Sequence, residues 1–132
     1  MKFAKVVFLV AGIWGVLVTA PLFFLRGAVE RQAPAAVLTH PEFYYGFAVV
    51  VLMWQVSFFI IARDPARYRA LMIPPALAKL GYAAFVGVLH INREVTAAQL
   101  PFAAADVVLA LLFFAAFLRV KAGTENHHLR RD

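Results

Sequence analysis

At 132 residues, 64% of them hydrophobic and with a mean hydropathy of +0.79, the chain is more apolar than a soluble domain, which runs nearer half apolar. Its 13 Lys and Arg against 7 Asp and Glu give a formal charge of +6. The cations stand at the ends of apolar runs, where anionic head groups attract them, so nucleic acid is not an expected partner. The sequence has no cysteine, which excludes disulfides, thiolate metal sites and electron transfer between thiols and a quinone.

Four apolar runs, roughly 6–25, 43–62, 71–91 and 98–118, leave little between them. At about 1.5 Å of rise per residue each covers close to the roughly 30 Å hydrocarbon core of a bilayer. The expected fold is all-α: an integral membrane four-helix bundle over residues 1–121, with a polar tail over 122–132. Lys2 and Lys5 precede a first run too long for a signal-peptide core, and Pro21 follows Ala20 where cleavage would fall. The run therefore reads as a retained helix. Ala11, Gly15 and Thr19 recur at four-residue spacing. Small residues at that interval let a second helix approach, either inside the bundle or across a dimer interface. Pro21 is expected to bend the last turn only slightly.

The connection from Arg26 to Pro41 is the longest and is expected to lie along the membrane surface. Thr39 and Glu42 have the spacing of a capping box, and Phe43, Tyr44 and Tyr45 read as an interfacial aromatic belt. Asp64 and Pro65 mark a tight turn, and Arg63, Arg67 and Arg69 are assigned to lipid phosphates. Pro74 and Pro75 are tolerated only in a first turn, so the regular third helix is expected to start at Pro74, after an irregular entry over 70–73. Asn92 to Thr96 reads as a hairpin, and Pro101 falls in the first turn of the fourth helix. His127 and His128 belong to a solvated tail rather than a metal site.

With four spans the termini share a side. Nine cations fall on that side (Lys2, Lys5, Arg63, Arg67, Arg69, Arg119, Lys121, Arg130, Arg131) and three on the other (Arg26, Arg31, Arg93). The bias places both termini in the cytoplasm and the chain in the plasma membrane.

Gln55, Lys79 and Asp106 are the polar groups at membrane depth. A charge there costs about 2.5–3.5 kcal/mol on insertion scales, so such groups face inward and find partners. Helix rise puts Gln55 and Lys79 at nearly one level and Asp106 somewhat nearer the outer side, a gap that a lysine stem of about 6 Å partly bridges. The expectation is a buried cluster in which Lys79 pairs with Asp106 and Gln55 completes the hydrogen bonding. The alternatives are a Lys79 that snorkels to the inner phosphates and an Asp106 bonded to a neighbouring helix. Lys79, Tyr82 or Ala83, Val86 and His90 share a helix face that leads to an outer polar cluster of His40, Glu42, His90 and Arg93. Trp14 and Trp54 lie near mid-membrane as core fillers or, with Tyr82, as the wall of a pocket for an apolar ligand.

The runs His40-Pro41-Glu42-Phe43-Tyr44-Tyr45-Gly46-Phe47, Trp54-Gln55, Arg63-Asp64-Pro65-Ala66-Arg67-Tyr68-Arg69 and Pro74 to Lys79 look like motifs of small bacterial membrane proteins. The layout over about 6–119 resembles the DoxX-like group. That resemblance implies a bacterial inner-membrane protein, and some members of the group are associated with quinone-linked oxidoreductase complexes. Many members carry Glu before the lysine of the third helix, where Ala78 stands here. No catalytic residue carries over.

The chain shows no nucleophile–base set, metal-ligand spacing or phosphate loop, so the expected function is non-enzymatic. It would bind a lipid or a quinone, the one cofactor candidate, or serve as an accessory subunit; its partners would be the bilayer, a second copy or a membrane complex. Two alternatives are a proton-coupled transporter working as a dimer through Asp106, and a lipid-modifying enzyme using His40, Glu42 or His90.

Overall fold

A computed structural model describes residues 1–32 and 40–121. Among these residues the chain is helical and has no strand. The helices are α1 (Lys2–Thr19), α2 (Arg26–Gln32), α3 (Pro41–Arg63), α4 (Ile73–Ile91) and α5 (Leu100–Arg119). Short 3₁₀ turns at Ala20–Phe23, Arg69–Met72 and Ala97–Gln99 extend α1 and lead into α4 and α5. Together they make four stretches long and apolar enough to cross a membrane: Lys2–Phe23, Pro41–Arg63, Arg69–Ile91 and Ala97–Arg119. Each lies within a few residues of its expected run.

Proline sets most of the boundaries. Pro41, Pro74 and Pro101 occupy the first or second position of α3, α4 and α5, where a missing N–H leaves no helical bond unmade. The α-helix resumes at Ile73, one residue before the expected Pro74, and the entry before it is an ordered 3₁₀ turn rather than an irregular one. Pro21 does more than the expected slight bend. It cannot donate to the carbonyl one turn back, so α1 ends at Thr19 and the chain tightens to 3₁₀ geometry.

Two connections are closed by local bonds. In the first, Asp64 Oδ1 accepts the Arg67 backbone N–H at 3.2 Å and Asp64 O accepts that of Tyr68 at 3.1 Å. In the α4–α5 hairpin, Glu94 N donates to Leu89 O at 2.8 Å and Arg93 N to His90 O at 3.0 Å, the two bonds of a Schellman cap. The cap needs a left-handed residue, and Arg93 fills it with φ 61°. In the described part of the long first connection Arg26–Gln32 forms α2; Thr39 and the tail over 122–132 lie outside the described residues. His40 precedes α3, with no side-chain cap bond.

Helix α1 packs on α3 and on α5, and α4 packs chiefly on α5, giving the spatial order α3–α1–α5–α4. The core gathers at the end that carries the termini: Phe8, Ala11, Phe58, Ile61, Met72, Ala76, Phe113 and Val120 all belong to it. Phe8 stacks on Phe113 at 4.4 Å between centroids, and Phe58 meets both rings edge-on at 5.8 and 5.1 Å. Toward the other end the buried residues thin to Thr19, Ala48 and Gln55 on α1 and α3, and Val86 and Ala103 on α4 and α5. The small stripe of α1 is used inside the bundle: Ala11 and Thr19 are buried, and a Cβ on Gly15 would collide with the Gln55 amide of α3.

Candidate functional site: a charged pair between α4 and α5

Asp106 sits two turns beyond Phe113 on one face of α5, flanked by buried Ala103 and Ala110. Those two alanines keep the face small, so α4 can lie close. On α4 the facing positions are buried Pro75 and Ala76, then Lys79. The rise from Ala76 to Lys79 is about 4.5 Å and that from Phe113 to Asp106 about 10.5 Å. The difference is about the length of a lysine stem. Lys79 therefore extends away from the end that carries the termini, and its Nζ donates to Asp106 Oδ1 at 2.5 Å. The lysine does not snorkel. The pair is not sealed: 19% of the Lys79 side chain and 23% of that of Asp106 stay uncovered.

Gln55 does not complete this pair. It is 4% exposed, but α3 packs on α1, so its amide turns to that helix. Nε2 donates to Val51 O at 2.7 Å within α3, and Oε1 has no hydrogen-bond partner among the described residues. That oxygen lies in the notch of Gly15, where an added Cβ would collide with the amide. The expected three-residue cluster is thus one ion pair between α4 and α5 and one separate amide between α1 and α3.

The outer polar cluster also separates. His40 Nδ1 and Glu42 Oε1 are 3.0 Å apart on a surface where both side chains are about two-thirds exposed. His90 Nδ1 lies 3.4 Å from Val95 O, inside the hairpin that Arg93 turns. Along α4, Val86 is buried between Lys79 and His90 on the face that the three share. The described residues contain no group of three His, Asp or Glu placed to hold a metal.

The three aromatic candidates do not share a pocket. Trp14 is 51% exposed on α1, and so is no core filler. Trp54 flanks the core, with its ring 6.5 Å from that of Phe58, and lines a shallow groove with Val49, Val50, Met53 and Ser57. Tyr82 stands exposed on α4. A second open groove runs along Val16, Leu17, Ala20, Pro21, Phe24 and Leu25, and neither groove reaches the ion pair.

No protein-family model, curated protein or solved structure matches this chain.

Four contacts escape sequence reasoning because each joins residues that no local pattern links. The Arg69 Nε donates to Phe117 O at 3.0 Å and the guanidinium lies 3.7 Å from the Phe117 ring centroid. It thus caps a carbonyl in the last turn of α5 that has no helical donor. Arg119 lies 4.5 Å from the Phe3 ring of α1. At the opposite end Tyr44 OH donates to Leu22 O at 2.7 Å, and Arg26, paired with Glu30 at 2.8 Å, lies over the Tyr45 ring. The aromatic run of α3 therefore clasps the end of α1.

Proposed function

We propose that this chain is a four-span protein of a bacterial inner membrane, with both termini cytoplasmic, which performs no chemistry of its own. In this reading it holds an apolar molecule with a polar head, a lipid or quinone, against the α4–α5 edge. The resemblance to the DoxX-like group leans the same way, as does the wide apolar exterior: only 22–28% of each candidate span is buried, and Leu17, Phe43, Phe85 and Leu118 are each more than 60% exposed. Such a surface is stable in hydrocarbon and a liability in water.

One observation carries the ligand reading. Lys79 and Asp106 neutralise each other, yet about a fifth of each side chain is uncovered at a depth where lipid tails offer no hydrogen bond. A carbonyl or hydroxyl head group laid there would accept from the remaining ammonium protons or donate to the second carboxylate oxygen. The test is mass spectrometry of the lipids and quinones that stay bound through mild purification. Wild type is expected to retain a species that the double variant Lys79→Leu/Asp106→Leu loses, because the double variant removes both charges without stranding either. Identical bound species in the two proteins would refute the assignment.

A further inference from the structure

A third polar side chain stands beside the charged pair. Tyr82 follows Lys79 by one turn on the same face of α4, about 4.5 Å further along. Asp106 stands about 6 Å beyond Lys79, so Tyr82 and Asp106 leave their helices at nearly one level. Side chains lean toward the N-terminus of their helix, which tips the phenol back toward the Lys79 ammonium. The Asp106 carboxylate is close enough for its charge to act on that phenol. Around α4, Tyr82 lies on the opposite side of Lys79 from buried Ala76. Around α5, exposed Phe102 lies on the opposite side of Asp106 from buried Ala103 and Ala110. The uncovered part of the pair therefore faces the exterior of the bundle, beside Tyr82 and Phe102. Among the described residues the Tyr82 hydroxyl, Asp106 Oδ2 and the remaining ammonium protons of Lys79 have no hydrogen-bond partner.

We propose that the molecule held at Lys79 and Asp106 is an uncharged amphiphile whose head is a free hydroxyl, such as a diacylglycerol or a polyprenol, and that Tyr82 makes a third contact to that hydroxyl. The inference rests on the reading of this edge as a ligand site. Two features narrow the head group. The first is charge at depth. Asp106 lies about 14 Å from one end of the stretch Ala97–Arg119 and about 20 Å from the other. The pair is already neutral there, so a phosphate or carboxylate head would bring an uncompensated charge into hydrocarbon. The second is the mixture of donor and acceptor. A carbonyl head, as in a quinone or an ester, accepts from Lys79 and leaves Asp106 Oδ2 with no donor. A hydroxyl accepts from the ammonium and donates to Oδ2 through one oxygen, and its second lone pair is left for the Tyr82 phenol.

Native mass spectrometry of the full chain from phosphatidylcholine nanodiscs tests it, with dioleoylglycerol, a polyprenol, the O-methyl ether of each, a ubiquinone and phosphatidic acid as probes. Wild type is expected to retain at least one alcohol over its own ether by about tenfold or more, the weight of a hydrogen bond to a charged group. The ether keeps the apolar body and the accepting oxygen and lacks only the donor, so this comparison needs no variant. Which alcohol is retained tells whether the body is acyl or isoprenoid. Tyr82→Phe, which breaks no hydrogen bond of the fold, should lower retention of the alcohol about threefold. Lys79→Leu/Asp106→Leu should abolish the preference for alcohol over ether. Ethers held as well as alcohols, or the quinone or phosphatidic acid held in preference, would overturn the hydroxyl assignment. If the double variant still lost that species, the ligand site itself would stand. An alcohol preference unchanged in the double variant would overturn the site as well. Unchanged retention in Tyr82→Phe would remove Tyr82 from the proposal.

Discussion

Lys79 and Asp106 are tolerable side by side because each removes the other's charge, so their contributions cannot be separate. Lys79→Leu alone leaves a carboxylate, and Asp106→Asn alone leaves an ammonium, without its counter-ion. Each single change should cost about 2–3 kcal/mol of stability in detergent. The double change should cost less than the sum by at least about 1 kcal/mol, measured by denaturant titration of the four proteins. Additive losses would show that the two side chains do not act as a pair. Gly15 and Gln55 make a second coupled site on the other side of the bundle. Gly15→Ala should destabilise the α1–α3 contact by about 1–3 kcal/mol, because the added methyl enters the volume of the Gln55 amide. Gln55→Ala in the same chain should restore most of that loss. Failure of the rescue would mean that the methyl meets something other than Gln55.

At the scale of the element, Arg93 occupies the left-handed position of the cap that turns α4 into α5. Glycine adopts this conformation without a Cβ penalty and a β-branched residue resists it. Arg93→Gly should therefore be neutral or stabilising by up to about 1 kcal/mol, and Arg93→Val destabilising by about 1–2 kcal/mol, as read by thermal melting. The lengths and starts of the helices were legible in the sequence, because apolar runs and prolines in first turns are local signals. The end of α1 was less so: a proline near a helix terminus can bend the turn or change its type, and Pro21 did the second. Helix rise also brought Lys79 and Asp106 within reach of each other. The same arithmetic put Gln55 at their level, and there it misled. Rise fixes height along a helix, whereas partner choice depends on which helix a face meets, and α3 meets α1 while α4 meets α5. For the same reason the Arg69–Phe117 cap, which spans 48 residues of sequence, left no trace in any local pattern.

Across the whole molecule, packing and polarity divide along the bundle. A triad of phenylalanines closes the end that carries the termini, while the opposite end is held by pairs of helices and by the Tyr44–Leu22 clasp. The ion pair lies beyond the triad, where the core has thinned. This division was not visible in composition, since all four runs are similarly apolar. It arises because Phe8, Phe58 and Phe113 meet at one height, on helices that run in different directions. The account as a whole depends on four crossings with the termini on the cytoplasmic side, and the absence of cysteine makes that claim directly testable. Single cysteines at Asn92→Cys, in the α4–α5 hairpin, and Lys121→Cys, just after α5, can be probed with a membrane-impermeant maleimide in intact bacterial spheroplasts. The account predicts labelling at position 92 in intact spheroplasts, and at position 121 only after lysis. Labelling of position 121 in intact spheroplasts with protection of position 92, or release of the protein into the soluble fraction, would contradict it.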